Sequence, residues 1–400
     1  MSSEVVIVGA ARTPIGRYGG SFRQVHPAEL GAGAVREALK RAGVAPTDVD
    51  DVLIGHARQA GSGPNPGRQV VRRAGLPDTV PGQTINKACA SGMQAVASGA
   101  EAILLGHASV VVAGGIESMS RMPHLVDSED GRWGHRMGNF ALVDAMYRDG
   151  FTCSLSGMIM GETAEVLAHE YGITREASDL YALETQRRAG RAIAEGRFDA
   201  EIAPVTVTDG KGRTTEVTRD EHPRPETTLE QLRKLPLVFG EVNGRPGIIT
   251  AGTSSGITDG GAAMVLMSAH KTKAAGIAPL ARIVGWASAG VDPRIMGIGP
   301  VPAMRKLFAR TGLSLADFDL VELNEAFAPQ VLAVLRDEPI PTEKLNVNGG
   351  AIALGHPIGC TGTRILVTLL YEMIRRDVKR GLATLCVSGG MGMAMAIERF

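Results

Sequence analysis

Ala383-Thr384-Leu385-Cys386-Val387-Ser388-Gly389-Gly390 is an apolar run that stops at a glycine pair, and far upstream Ser109-Val110-Val111-Val112-Ala113-Gly114-Gly115 repeats the pattern. A short apolar run without polar alternation fits a strand buried on both faces, as parallel sheets covered by helices require. Each run also closes a similar series. Upstream stand a strand at Val5 to Val8, a helix from about Pro27 to Arg41, a strand at Asp51 to Gly55 and a helix beginning near Cys89. Downstream stand a strand at Ala281 to Trp286, a helix near Val301 to Arg310, a strand at Leu320 to Leu323, a helix from Asn324, and one after Gly359 to Arg376. The two series predict an α/β chain of two duplicated halves; chance repetition of strand–helix units is the competing reading. Between them, residues from about Arg121 to Thr250 break the rhythm and read as an insertion, with helices at Gly161 to Glu170 and Ser178 to Glu195.

Composition narrows the function. The 400 residues carry 42 Lys plus Arg against 42 Asp plus Glu, so no overall field draws the chain to nucleic acid or to an anionic membrane. Even Lys211 to Lys234 mixes six basic with five acidic residues, so a phosphate site there needs geometry rather than charge. Cys89, Cys153, Cys360 and Cys386 form no C-x-x-C pair, and no secretory leader precedes Val5. The expectation is no metal, no disulfide framework and a reducing, cytoplasmic location. The most apolar stretch, Ala383 to Ile397, is interrupted by glycines and is shorter than the ~20 residues of a membrane span. Glycine, at 51 residues, is nearly double the usual share of ~7%. Much of the backbone must run where a side chain would obstruct it.

Four groups carry chemistry. In Asn86-Lys87-Ala88-Cys89-Ala90-Ser91-Gly92-Met93, a turn gives way to a small-residue helix, with Cys89 expected in the first turn. The free N–H groups and dipole there favour thiolate and lower its pKa; a buried, inert thiol is the plainer alternative. His356 lies in the glycine-rich Asn348 to Gly362, where Pro357 fixes its path; a structural hydrogen bond would explain it equally. The glycine spacing is not G-x-G-x-x-G, which excludes a dinucleotide loop. Cys386 ends an apolar strand before a glycine turn, the end at which α/β sites form, though core burial accounts for it too. Asn324, in Leu323-Asn324-Glu325-Ala326-Phe327-Ala328, either caps a helix or orients a water. Together a thiol, an imidazole, a second thiol and an amide suit acyl transfer: attack on a thioester, proton removal, and N–H donors for the oxyanion.

The chain resembles the thiolases, the acetyl-CoA acetyltransferases and 3-ketoacyl-CoA thiolases, along essentially its whole length. The likeness rests on N-K-A-C-A-S-G-M, G-G-I-E-S-M-S (Gly114 to Ser120) and T-A-G-T-S-S-G-I-T-D-G-G-A-A (Thr250 to Ala263). It continues, in family order, through N-E-A-F-A, G-G-A-I-A-L-G-H-P-I-G-C-T-G and C-V-S-G-G-M-G. The resemblance implies a five-layered α-β-α-β-α core from two βαβαβαββ halves. It divides the chain into residues 1–120 with 251–279, an inserted coenzyme A-binding loop domain over 121–250, and residues 280–400, assembled as a homodimer or homotetramer.

It also implies roles. Cys89 would be the acylated nucleophile, His356 its base, Cys386 the acid/base at the α-carbon of acetyl-CoA, and Asn324 the holder of an oxyanion-hole water. The N–H groups of Cys89 and Ser388 would form the other oxyanion hole. Coenzyme A would lie along Arg224, Phe239, Ala251, Ser255, Gly256 and Ala326, and the acyl group against Phe151, Met160, Met296 and Phe327. The expected partners are acyl-CoA, acetyl-CoA and coenzyme A, with no resident cofactor. Three positions depart from the family: Ser388 replaces glycine, Ile159 a histidine common in short-chain members, and Phe151 a smaller residue. Two rival readings are a ketoacyl-synthase-like condensing enzyme, which would carry histidine at Asn324, and a non-catalytic coenzyme A or lipid-binding module.

Overall fold

The computed structural model describes residues 4–400. Nine strands make up the body of one large sheet: β1 (Val5–Arg12), β2 (Asp51–His56), β3 (Gly82–Ile85), β4 (Val110–Ser118), β5 (Thr258–Ser268), β6 (Ala281–Gly290), β7 (Leu320–Leu323), β8 (Arg380–Val387) and β9 (Met391–Glu398). The principal helices are α1 (Pro27–Ala42), α2 (Pro66–Arg73), α3 (Ser91–Leu104), α4 (Met160–Glu170), α5 (Arg175–Ala194), α6 (Pro300–Thr311), α7 (Ala328–Asp337) and α8 (Ile358–Arg376).

The duplication is visible in the strand order. The first half runs β3-β2-β4-β5-β1, with β3, β2 and β4 parallel and β5 antiparallel to both neighbours. The second runs β7-β8-β9-β6 with the same sense of pairing, and a parallel bridge from Val321 to Leu345 stands where β3 stands in the first. The halves join edge to edge through two residue pairs, Val6 with Arg282 and Ile7 with Ala281.

Side-chain alternation then builds the layers. Val111 and Ala113 of β4 pack with Leu385 and Val387 of β8 around α3 and α8, which form the central layer. Val110 and Val112 face the other way, onto α1 and α2. Leu382 of β8 and Ala394 of β9 face α6 and α7. The result is the five-layered α-β-α-β-α arrangement. Among the described residues no helix is long and apolar enough to cross a membrane.

One expectation fails instructively. Gly114-Gly115 does not end its strand: β4 continues through both to Ser118. A Cβ on Gly115 would run into Gly359 O, and one on Gly55 into the backbone of Gly92. One on Gly362 would strike the backbone of Met93. These glycines let the starts of α3 and α8 press against each other and against the ends of β2 and β4. That contact brings Cys89 and His356 into one neighbourhood.

Candidate active site

Cys89 lies two residues before α3, not in its first turn, because Ala88 takes a left-handed conformation (φ 44°) that helix geometry excludes. The Asn86 side chain accepts from Ala88 N at 3.0 Å, and Ser91 Oγ donates to Ala88 O at 2.6 Å. The thiol therefore stands on a tightly braced elbow, half-buried. Burial pushes its pKa up. The Arg58 guanidinium and the N–H groups of Ser388 and of Cys89 itself pull the other way without prevailing. The expected net lowering by the helix start is thus overturned: desolvation of the thiolate outweighs the donors.

His356 is held at three points. Its N–H donates to Gly256 O at 3.0 Å, Pro357 follows it, and Nδ1 lies 2.7 Å from Thr361 Oγ1. Burial, with Arg364 and Arg58 nearby, pushes its pKa down to about 3, so the ring is neutral at ordinary pH. Cys386, at 1% exposure, has its thiol pushed up by burial and by the adjacent Cys89. Ser388 follows it with a φ outside the left-handed region, while Gly389 and Gly390 take φ of 88° and 84° and make the turn. A side chain at Ser388 therefore strains nothing, and its N–H favours the Cys89 thiolate.

Asn324 does not cap a helix: α7 begins four residues later, at Ala328, after Phe327 in extended conformation bridged to Ser254. Its side chain is buried, and among the described residues neither Nδ2 nor Oδ1 has a partner. The adjacent Glu325 anchors the segment. Its carboxylate accepts from Tyr181 Oη at 2.8 Å, from Thr185 Oγ1 and Asn346 Nδ2 at 3.0 Å, and from Ile352 N at 3.1 Å.

A cleft of about 1030 Å3 joins these parts. Cys89, His356, Cys386 and Ser388 line it, as do Phe151, Met160, Met296 and Phe327, and also Arg224, Phe239, Ala251, Ser255, Gly256 and Ala326. Asn324 itself is not in the lining, although Ala326, two residues on, is. Sequence reading missed Arg58 and His222 in the same wall. Arg58 follows the carboxyl end of β2, so the strand-end rule that singled out Cys386 would have found it.

A thiol supplied with two N–H donors, beside a neutral imidazole and a second thiol in a long cleft, defines a site for acyl transfer. The chain belongs to the thiolase family: residues 5–270 match the thiolase N-terminal domain and residues 277–399 the thiolase C-terminal domain. It is 50% identical to the acetyl-CoA acetyltransferase of Cupriavidus necator, over 99% of this chain and 100% of that protein. The Bacillus anthracis acetyl-CoA acetyltransferase superposes with a TM-score of 0.96 at 46% identity, covering 100% of this chain and 99% of that one. Human mitochondrial 3-ketoacyl-CoA thiolase in complex with CoA superposes at 0.94 with 42% identity, covering 100% and 98%.

Proposed function

We propose that this acyltransferase exchanges acyl groups between coenzyme A thioesters, cleaving or forming 3-ketoacyl-CoA such as acetoacetyl-CoA by a ping-pong route through Cys89. In the thiolytic direction His356 takes the Cys89 proton, and the sulfur adds to the C3 carbonyl of the 3-ketoacyl group. The N–H groups of Cys89 and Ser388 and a water held by Asn324 serve the two oxyanion holes. The C2–C3 bond breaks with its electron pair on C2, which takes the proton of Cys386, and acetyl-CoA departs. In the second half, the Cys386 thiolate takes the proton of incoming coenzyme A. The new thiolate attacks the acyl group, and Cys89 leaves with the proton from His356. All protons return to their starting places, and condensation is the reverse.

The single observation that carries this reading is the convergence of Cys89, its two N–H donors, His356 and Cys386 in one cleft. Arg224, Phe239, Ala251, Ser255, Gly256 and Ala326 are read as the track for coenzyme A; Phe151, Met160, Met296 and Phe327 are read as the acyl pocket. Residues 1–120 with 251–279, 121–250 and 280–400 are read as the three domains. Exposed Trp133, Met137, Phe140 and Leu142 in the inserted segment favour a homodimer or homotetramer.

The test is peptide mass spectrometry after brief incubation with acetoacetyl-CoA, while acetyl-CoA release is followed. An acetyl adduct on Cys89 that disappears on adding coenzyme A supports the route. Binding without release or adduct supports the non-catalytic module.

A further inference from the structure

Arg58 has no part in the reaction just described, yet its side chain lines the cleft beside Cys89 while being 7% exposed. Its backbone N–H donates to Glu117, and Nη2 donates to Gly150 O at 2.6 Å. The guanidinium lies under Gly150, where a Cβ would come within 3.0 Å of Nε. Nε is buried with no partner, and among the described residues no carboxylate is within ion-pair distance of the group. Glu117, buried nearby, is committed to the N–H groups of Arg58 and Gly359 and stands 3.1 Å from His56 Nε2. Ala57, Met146, Phe151 and Ile358 make this corner of the cleft apolar.

A guanidinium so placed is an imbalance. It always carries charge, and a buried charge without a counter-ion is costly. A neutral acyl tail leaves that imbalance standing; a carboxylate removes it, and low local polarity strengthens the pairing.

We propose that Arg58 is a specificity-determining residue at the acyl end of the cleft, and that the acyl group Cys89 accepts ends in a carboxylate bound by this guanidinium. The substrate class is then the 3-oxo diacid thioester, whose distal carboxylate takes no part in the bonds made or broken. This rests on the thiolase reading above. The alternative is that Arg58 serves the thiolate alone, a role that would scale with every acyl substrate equally.

The experiment compares kcat/KM for thiolysis of 3-oxoadipyl-CoA and 3-oxopimelyl-CoA with their methyl-ended counterparts, in wild type, Arg58→Met and Arg58→Lys. The wild type is expected to favour one of the diacid thioesters by about 30-fold or more, and Arg58→Met to lower that ratio by about 100-fold, with Arg58→Lys between. A wild type with no preference for either diacid, or a ratio unchanged in Arg58→Met, overturns the inference. Should Arg58→Met not fold, binding by wild-type enzyme decides: succinyl-CoA or glutaryl-CoA must bind at least about 10-fold more tightly than its branched methyl-ended isostere, 4-methylpentanoyl-CoA or 5-methylhexanoyl-CoA, and equal binding within both pairs overturns it. Failure to release acetyl-CoA from any of these substrates or from acetoacetyl-CoA overturns the thiolase reading itself. Release from acetoacetyl-CoA without a diacid preference overturns the carboxylate subsite alone.

Discussion

The hydroxyl of Thr361 accepts the Nδ1 proton of His356: the atoms are 2.7 Å apart, and the hydroxyl's one hydrogen goes to Pro357 O at 3.0 Å. That assigns the tautomer. Nε2 is left with the lone pair, which is the form a base needs. Thr361→Val removes the acceptor and frees the ring to protonate at either nitrogen. We expect kcat to fall about 10- to 100-fold with KM nearly unchanged, read by steady-state thiolysis of acetoacetyl-CoA. An unaltered kcat would remove Thr361 from the account.

The two thiols separate into different half-reactions. Cys89→Ala should form no acyl-enzyme. Cys386→Ala should still acylate Cys89 slowly but lose exchange of deuterium from solvent into the methyl group of acetyl-CoA by at least about 100-fold. Measuring adduct and exchange on both variants distinguishes these roles. Equal loss of both signals in both variants contradicts the assignment.

Ser388 contributes through its backbone, so the side chain should be dispensable and the N–H should not. Ser388→Gly is expected to keep acylation within about threefold, whereas Ser388→Pro, which deletes the donor, should slow it about 100-fold or more. Pre-steady-state release of acetyl-CoA gives both values.

The buried ring of His356 links stability to pH. Its folded pKa, about 3, lies below the ordinary 6.5, so between these values the unfolded chain binds more protons than the folded one. The stability contributed by this neutral ring is complete above pH 6.5 and is lost progressively as pH falls toward 3. Urea unfolding from pH 7 to pH 4 should lose stability more steeply in wild type than in His356→Gln. Parallel curves would contradict the burial of an uncharged imidazole.

The glycine contact between the two central helices gives a structural prediction. Gly115→Ala places a methyl group against Gly359 O and Cys360 Cα, and should cost about 2–4 kcal/mol of stability or force α8 to shift. The melting temperature and the rate of Cys89 acylation should fall together. Gly33→Ala, with open space around its Cβ, is the control and should leave both nearly unchanged.

The elements legible in the sequence were those whose burial is simple. Val110-Val111-Val112 and Leu382 to Val387, apolar but for Thr384, are covered on both faces, and α1 and α6 bury residues at helical spacing. Reading faltered where long-range contacts override local grammar. Gly114-Gly115 resembles a turn, yet is extended because α8 approaches it. Asn324 resembles a cap, yet Glu325 ties its segment to Thr185 and Ile352, so the helix starts later. Cys89, His356 and Cys386 carried their own signals in glycine, proline and strand-end context. Arg58 carried none beyond its place after β2, because an unpaired guanidinium becomes conspicuous only when its surroundings are known.

The matching strand order of the two halves makes α3 and α8 counterparts, so Cys89 and His356 occupy equivalent stations, each just ahead of its helix. An assembly of two identical single halves would have to carry the same residue at both stations, two thiols or two imidazoles. Covalent linkage of the halves releases that constraint. One copy is free to specialise as nucleophile and the other as base, and the asymmetry that catalysis needs arises within a scaffold that is nearly symmetric.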